Sequence, residues 1–367
     1  MKLTGYIFLS MLFFTFSAHA GDGAVLHRIY QTVADEYIEP VAVGDFAPLC
    51  LKGLGKMDKK LRIADDGSRV SVYYGTTFVK GVLKPEDKKD IDAWVKLSLD
   101  VMSAARKASP EINRRDFEMV DYMMVEGFPA LDADSKYYPD LDITGEKNKK
   151  TKRYFYDRMI DDVLYIKAGA INQYTGKNLE DSLKKNKEIS GLILDLRGSP
   201  GGMLSEAVKI AGLFLDEGII VSTQGRSGDS IKFYNAEEGD ILEGRPIVIL
   251  IDGQTASSAE VIASSLKEQG RAKVVGTRSF GKGTVQTLKK FDNDSEAALT
   301  NAYFYTPSGY KIDKTGVYPD LCTAGMLETT PLEKILPRLG IYETCERENR
   351  ENMNIDVDAA VALIQEK

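Results

Sequence analysis

Histidine is nearly absent from this chain of 367 residues, which contains only His19 and His27. His19 falls in an N-terminal segment with the features of a removable leader, so His27 is the one histidine expected in the mature protein. A metal site with two or more histidine ligands is thereby excluded. A Ser-His-Asp triad would have to use His27, which lies in "AVLHRIYQTVADEYI", a segment with the apolar spacing of an amphipathic helix. We therefore expect His27 to be a surface or core residue.

Cysteine is also scarce, and Cys50, Cys322 and Cys345 are too far apart in sequence to form a metal cluster. In an oxidising compartment Cys322 and Cys345 could pair and hold the C-terminal segment in place. Three unpaired cysteines are equally compatible with the sequence. Both possibilities stay open at this point.

The chain has no excess of positive charge and only one long apolar run. A net charge of −7 and a pI near 5.2 argue against nucleic acid as a partner, because phosphate binding needs a basic face. The apolar run from Tyr6 to Ser17 follows one lysine, precedes "AHA" and is too short for a comfortable membrane span. This pattern predicts a signal peptide over residues 1–20, with an uncleaved anchor as the alternative. We expect an exported protein, periplasmic or extracellular, with no membrane span in the mature chain.

The hydrophobic pattern changes near residue 150. Apolar residues at three- and four-residue spacing predict a mostly helical N-terminal domain over 21–150, and the polar segment 142–153 predicts its boundary. Beyond it, continuous apolar strands alternate with helices, which predicts an α/β core over 151–330 with a mainly parallel sheet covered on both faces. Residues 331–367 predict a C-terminal helical segment.

Three loops follow strands of this core: "RGSPGG", "GQTASSAE" and "GTRSFGKGT". The carboxyl ends of strands are where sheets of this kind carry their chemistry. In the last loop Gly276, Gly281 and Lys282 match the spacing of a phosphate-binding loop, but Gly283 stands where such a loop needs Ser or Thr. The residues after Lys282 are also poor at opening a helix, which a phosphate loop requires. The sequence therefore argues against nucleotide binding.

Ser257 and Ser258 stand at the join between a buried strand and a helix, where backbone donors and a positive dipole end can stabilise negative charge. A helix N-cap is the alternative reading of the same residues. The scarcity of histidine leaves lysine as the candidate base, provided that burial among apolar groups keeps it neutral. Lys282 has the right position, in the neighbouring loop. Gln286 could hold its amine, although four residues of straight strand span about 13 Å, so the glycines would have to bend the chain.

Several motifs together resemble the C-terminal (tail-specific) processing proteases. They are "GLILDLRGSPGG", "TASSAEVIASSLKEQGRAKVVGTRSFGKGTVQ" and "YTPSGYKI…GVYPD", in this order, from about residue 160 to 322. The resemblance implies a serine endopeptidase on a crotonase-like (ClpP-like) sheet, acting on protein or peptide substrates without metal or cofactor. By position in the motifs, Ser257 is the nucleophile, Lys282 the general base and Gln286 the assisting residue. The oxyanion donors are the backbone N–H groups of Ser258 and Gly201.

The chain departs from the family pattern in two places. Gly198 and Ser199 replace two asparagines that usually precede "PGG". A PDZ domain normally lies between the N-terminal helices and the core, but only about 22 residues separate "SKYYP" from "DVLYIKAG". Either a partner protein supplies substrate recognition, or specificity lies in the cleft and the helical domain. An exported binding protein on the same fold, without catalysis, is the alternative function.

Overall fold

Two units make up the chain in the computed structural model, which describes residues 18–115, 118–139, 155–226, 231–237, 239–340 and 345–365. Unit 1 comprises Met1–Lys147 and Gln286–Asn301, and unit 2 comprises Asn148–Val285 and Ala302–Lys367. The expected leader lies almost entirely outside the described residues, as does the predicted boundary at 142–153. None of the described helices is both long enough and apolar enough to cross a membrane.

The described residues form helices and strands that we number in chain order. The helices are α1 (Ala18–Glu36), α2 (Val43–Leu51), α3 (Leu54–Met57), α4 (Ile91–Ala108), α5 (Pro110–Arg114), α6 (Met119–Gly127), α7 (Thr175–Lys185), α8 (Leu204–Gly212), α9 (Ser258–Glu268), α10 (Leu332–Ile335) and α11 (Asn354–Gln365). The strands are β1 (Leu61–Asp65), β2 (Arg69–Tyr74), β3 (Thr77–Leu83), β4 (Lys136–Tyr138), β5 (Phe155–Ile160), β6 (Val163–Ala168), β7 (Gly191–Asp195), β8 (Ile219–Gly225), β9 (Lys232–Asn235), β10 (Ile247–Ile251), β11 (Lys273–Gly276), β12 (Thr284–Lys290), β13 (Glu296–Tyr305) and β14 (Leu321–Cys322).

Unit 1 packs helices α1, α2, α4 and α6 around an apolar core. Fully buried aromatic side chains occupy its centre, with Phe46 in edge contact with both Tyr30 and Phe128. Asp90 begins α4 by accepting a hydrogen bond from the N–H of Ala93 at 3.0 Å, as an N-cap aspartate does. Between α3 and α4 the chain forms the antiparallel sheet β1-β2-β3.

Residues 286–301 belong to unit 1, which differs from their assignment to the α/β core in the sequence analysis. The reason is strand pairing: β13 begins with Glu296–Ala298 antiparallel to β4. The N–H of Ile38 also donates to the carbonyl of Thr300 at 2.9 Å. The chain returns to unit 2 at Ala302, and the end of β13 pairs with β8.

Unit 2 is built on a six-stranded sheet in the order β14-β11-β10-β7-β6-β5. Five of these strands are parallel, and β5 at one edge is antiparallel to β6. Side chains alternate between the faces: Leu192 and Leu194 pack with the cluster that includes α7, α8 and α9, whereas Ile193 packs with that of α10 and α11. The expected α/β fold, with a mainly parallel sheet covered on both faces, is confirmed.

The three loops singled out in the sequence follow β7, β10 and β11, which are neighbours in this sheet. We call residues 198–202 the glycine turn, residues 252–257 the serine loop and residues 277–283 the lysine loop. Because parallel strands end at the same edge, the sheet brings the three loops side by side.

The structure resolves the open question about cysteine. Cys322, at the end of β14, forms a disulfide with Cys345, whereas Cys50 is a buried free thiol in unit 1. The bond closes a loop with a sequence separation of 23 residues. Closing a loop of this size restricts the unfolded chain and stabilises the fold by about 3 kcal/mol in the chain-entropy account.

We predict that the paired variant Cys322→Ala/Cys345→Ala lowers the free energy of unfolding of unit 2 by about 3 kcal/mol. Urea unfolding of the oxidised wild type and the variant measures the difference. When a reductant is present during urea unfolding, the free energy of unfolding of the wild type should fall to that of the variant, and the value for the variant should not change. An equal midpoint for oxidised wild type and variant would contradict the prediction.

Candidate active site

Ser257 lies at the end of the serine loop, directly before helix α9. Its backbone has φ 56° and ψ −127°, a conformation that residues with a side chain rarely adopt. The N–H of Ser257 donates to Oε2 of Glu260 at 2.8 Å, which supports this backbone. Ser257 is half-buried. It therefore lies at a turn between a strand and a helix, the position that exposes the nucleophilic serine in α/β-hydrolases.

Glu260 connects the serine loop with the lysine loop. This fully buried carboxylate accepts the N–H of Ser257 at 2.8 Å and the N–H of Lys282 at 2.9 Å on the same oxygen, Oε2. Its Oε1 accepts the N–H of Gly281 at 2.7 Å and the hydroxyl of Ser279. Burial raises the pKa of Glu260, and these four hydrogen bonds oppose the rise. One buried side chain thus fixes the backbone of both candidate reactive residues.

Lys282 is half-buried in the lysine loop, between Gly281 and Gly283. The carbonyl of Gly281 accepts the N–H of Lys314 at 2.8 Å, so the loop is held on this side as well. The chain continues from Thr284 as strand β12 and not as a helix. The phosphate-binding reading, which needs a helix at this point, is therefore wrong on structural grounds too.

The glycine turn approaches the backbone of the serine loop closely. Gly201 has φ 82°, and a Cβ there would lie 2.5 Å from the carbonyl oxygen of Ala256 and 2.8 Å from the nitrogen of Ser258. Glycine is therefore required for both conformation and space. Ser199 is one of the two residues that stand where the family usually has asparagine. Its carbonyl accepts the N–H of Ala256 at 2.9 Å. The hydroxyl of Ser199 accepts the N–H of Gly201 in a long hydrogen bond of 3.4 Å.

Ser258 opens helix α9, so its N–H belongs to the first turn, where backbone donors have no acceptor within the helix. Together with the close approach of Gly201, this places two backbone segments with donors beside Ser257. Such an arrangement can stabilise an oxyanion that forms at the serine. The assignment of Ser258 and Gly201 as donors remains a prediction.

Gln286 lies in strand β12 and belongs to unit 1, whereas Ser257, Ser258, Gly201 and Lys282 belong to unit 2. Its Nε2 donates to Oγ1 of Thr300 at 3.4 Å, and that hydroxyl donates to Asp132 at 3.2 Å. Its assistance to Lys282 stays a prediction.

His27, the one residue available for a histidine triad, is on α1 of unit 1. Its Nε2 lies 3.3 Å from a carboxylate oxygen of Asp92, and the side chain is about half exposed. Of the two alternatives left open by the sequence, surface or core, the structure shows a partly exposed residue of α1.

A buried charged cluster supports the glycine turn from behind. Asp195, at the end of β7, accepts hydrogen bonds from Arg197 at 2.6 and 3.0 Å, from the hydroxyl of Tyr165 at 2.6 Å and from Lys167 at 3.2 Å. Burial acts to raise the pKa of Asp195, but Arg197 and Lys167 outweigh it and the pKa is lowered. Arg197 also reaches Asp356 of α11 at 3.2 Å. The cluster fixes the backbone that leads into the glycine turn.

Asp252, the first residue of the serine loop, is a second buried organiser. Its Oδ1 accepts the N–H of Gly198 at 2.9 Å and that of Gln254 at 3.0 Å, and its Oδ2 accepts the N–H of Arg350 at 3.0 Å. The serine loop, the glycine turn and the C-terminal segment therefore share one carboxylate. Neither Glu260 nor Asp252 was assigned a role from the sequence. Both carboxylates lie in the segment that leads from a buried strand into a helix, and their partners are distant in the chain.

Part of this chain is similar in sequence to known proteins. Residues 162–323 match the sequence model of Peptidase family S41. The chain is 36% identical over 170 residues to a carboxy-terminal-processing protease of Bartonella bacilliformis, covering 45% of this chain and 39% of that protein. It is 32% identical over 186 residues to the carboxy-terminal processing protease CtpA of Bacillus subtilis, covering 50% and 40%.

Among solved structures, a photosystem II D1 C-terminal processing protease shares 32% identity and has a TM-score of 0.41, covering 48% of this chain and 46% of that one. The chain spans about two-fifths of the length of the curated relatives named here.

We predict that Glu260→Gln destabilises unit 2 and slows any reaction at Ser257. One carboxylate oxygen becomes an amide NH₂, so two of the four donors face another donor, at a cost of roughly 1–3 kcal/mol for each donor left without an acceptor. Urea unfolding measures the stability. Glu268→Gln, at the exposed end of the same helix, is the control and should change stability by less than about 0.5 kcal/mol. Equal stability of the two variants would refute the role of Glu260.

We further predict a pH-dependent effect of Asp195→Asn. A carboxylate with a lowered pKa stabilises the fold above the ordinary aspartate value of about 3.9, and this contribution is lost as the pH falls through the folded-state pKa. The variant should therefore lose most stability at neutral pH, and the difference from wild type should shrink below about pH 4. Urea unfolding across this range tests it. At Asp358, where burial and Glu328 raise the pKa, Asp358→Asn should show the opposite trend.

Proposed function

We propose that this chain, which matches the sequence model of Peptidase family S41 over residues 162–323 and is similar there to carboxy-terminal processing proteases, is a serine endopeptidase with Ser257 as its nucleophile. The observation that carries the proposal is the shared carboxylate of Glu260, which binds the backbone N–H of Ser257 and of Lys282 on one oxygen. A Ser–Lys dyad needs the two residues held in a constant relation, and this contact supports such a relation. The strained φ of Ser257 supports the same assignment.

In the proposed reaction, Lys282 takes the hydroxyl proton of Ser257 as Oγ attacks the carbonyl carbon of a peptide bond. The N–H groups of Ser258 and Gly201 stabilise the oxyanion of the tetrahedral intermediate. The protonated Lys282 then gives its proton to the leaving amine. Water, deprotonated in the same way, hydrolyses the acyl-enzyme and frees Ser257. Gln286 assists by holding the amine of Lys282.

The substrates that we propose are proteins or peptides, cleaved in C-terminal processing or in degradation, in an exported location. Residues 139–154 are all that separate β4 from β5, too few for a PDZ domain of 80 to 90 residues. Capture of a substrate C-terminus would then depend on a partner protein, on the cleft itself or on the N-terminal unit. The same short connection keeps open the second candidate function, a non-catalytic exported binding protein on this fold, although the presence of Ser257, Lys282 and Gln286 counts against it.

We predict that a fluorophosphonate probe labels the wild-type chain and that Ser257→Ala abolishes labelling. Lys282→Ala should slow labelling by roughly 10²- to 10⁴-fold, the usual contribution of a general base. Ser264→Ala is the matched control, since this serine of helix α9 is buried and bonded to the carbonyl of Val261.

Labelling that survives Ser257→Ala, or a wild-type labelling rate in Lys282→Ala, would contradict the Ser–Lys assignment. A wild-type chain that does not label alone but labels in an extract of its native host would indicate an enzyme that needs a partner. No labelling in either case would favour the non-catalytic binding protein.

A further inference from the structure

The segment of residues 345–350, which we call the C-terminal strap, crosses the loops that carry the reactive residues of unit 2. It begins at Cys345, which the disulfide joins to Cys322 at the end of β14. The N–H of Gly253 in the serine loop donates to the carbonyl of Glu348 at 2.7 Å. The hydroxyl of Thr277, the first residue of the lysine loop, donates to the same carbonyl at 3.0 Å. The strap therefore contacts both loops.

Arg347 makes the contact of the strap with the middle of the lysine loop. Its Nε donates to the carbonyl of Ser279 at 2.8 Å, and its Nη2 donates to the carbonyls of Lys314 at 2.7 Å and Thr315 at 3.1 Å. The residue itself is exposed. A planar guanidinium is suited to such a set of acceptors, because its donors diverge in a fixed geometry.

These carbonyls belong to two chain segments, the lysine loop and residues 314–315, which meet at Gly281, the residue before Lys282. The N–H of Lys314 donates to the carbonyl of Gly281 at 2.8 Å. A Cβ on Gly281 would lie 2.9 Å from the nitrogen of Gly316 and 3.0 Å from that of Thr315, so the segments are in close contact. Arg347 joins them from the solvent side, whereas Glu260 holds the lysine loop from the interior.

We propose that Arg347 is a positioning residue for Lys282, acting through the lysine loop. The inference rests on the proposed function, because it assumes that Lys282 is the general base. Without Arg347 the loop keeps its inner support from Glu260 but loses the outer one, so the amine of Lys282 samples positions away from the hydroxyl of Ser257. A misplacement of about 1 Å can cost roughly 100-fold in rate.

The test is the fluorophosphonate labelling of the full chain, with rate and final stoichiometry measured separately. Arg347→Ala should slow labelling roughly 10- to 100-fold while the final stoichiometry stays that of wild type and the saturating probe concentration is unchanged. A merely structural role would instead reduce the stoichiometry. Arg347→Lys should recover only part of the rate, because an ammonium lacks the divergent fork. Lys334→Ala, which also removes an exposed positive charge from unit 2, should label as wild type.

The background of Lys282→Ala makes the test specific for the base. If Arg347 acts through Lys282, adding Arg347→Ala to Lys282→Ala should not lower the labelling rate further. If the two residues act independently, the double variant should be slower than Lys282→Ala by the same factor that Arg347→Ala causes in wild type. An equal loss in both backgrounds would overturn the inference, as would a wild-type rate in Arg347→Ala alone. A wild-type chain that does not label under any condition would overturn the proposed function and this inference with it.

Discussion

The arrangement of the candidate active site depends on one buried carboxylate. Glu260 has no access to solvent, so its negative charge is tolerated only because four donors surround it. Those donors come from two loops that follow different strands, and satisfying one charge therefore fixes both loops at once. If either loop moved, its donors would leave Glu260 and part of a buried charge would be uncompensated. The free energy of such alternative loop positions is therefore high. The relation between Ser257 and Lys282 is thus a consequence of burying this group.

The same principle extends behind the glycine turn. Asp195 and Arg197 form a buried ion pair at the carboxyl end of β7, and Arg197 continues to Asp356 on the opposite layer of the unit. A pair of this kind contributes little net stability, since desolvation offsets the attraction, but separation of its members is costly. It therefore defines the path of the chain more than it stabilises the fold. The glycine turn leaves the sheet from this fixed point and reaches Ser257 in close contact.

The sequence was sufficient for features that depend on local pattern. The alternation of apolar strands with helices predicted the positions of the loops that contain Ser257 and Lys282. The hydrophobic patterns of a strand and of a helix can both be recognised within a short stretch of consecutive residues. The role of Glu260 was not accessible, since its partners in the lysine loop lie 19 to 22 residues further along the chain. Residues 286–301 lie within the predicted α/β core, but their place in unit 1 is set by the pairing of β13 with β4, which no local pattern specifies. The contact of Arg347 with Ser279, separated by 68 residues, is of the same kind.

The two supports of the lysine loop carry opposite charges, and their positions agree with the direction of its peptide groups. The N–H groups of Gly281 and Lys282 point to the carboxylate of Glu260, and the carbonyl of Ser279 points to the guanidinium of Arg347. The two supports act on different peptide groups of the loop, since the N–H of Phe280, in the peptide that contains the carbonyl of Ser279, donates to the carbonyl of Thr255 at 2.9 Å. Each support still selects a direction, because a negative group favours N–H donors and a positive group favours a carbonyl acceptor. Inversion of the loop would present carbonyls to a buried anion, which both supports disfavour. The orientation of Lys282 follows from this pairing of charge with backbone direction, while its side chain needs no direct contact with either support.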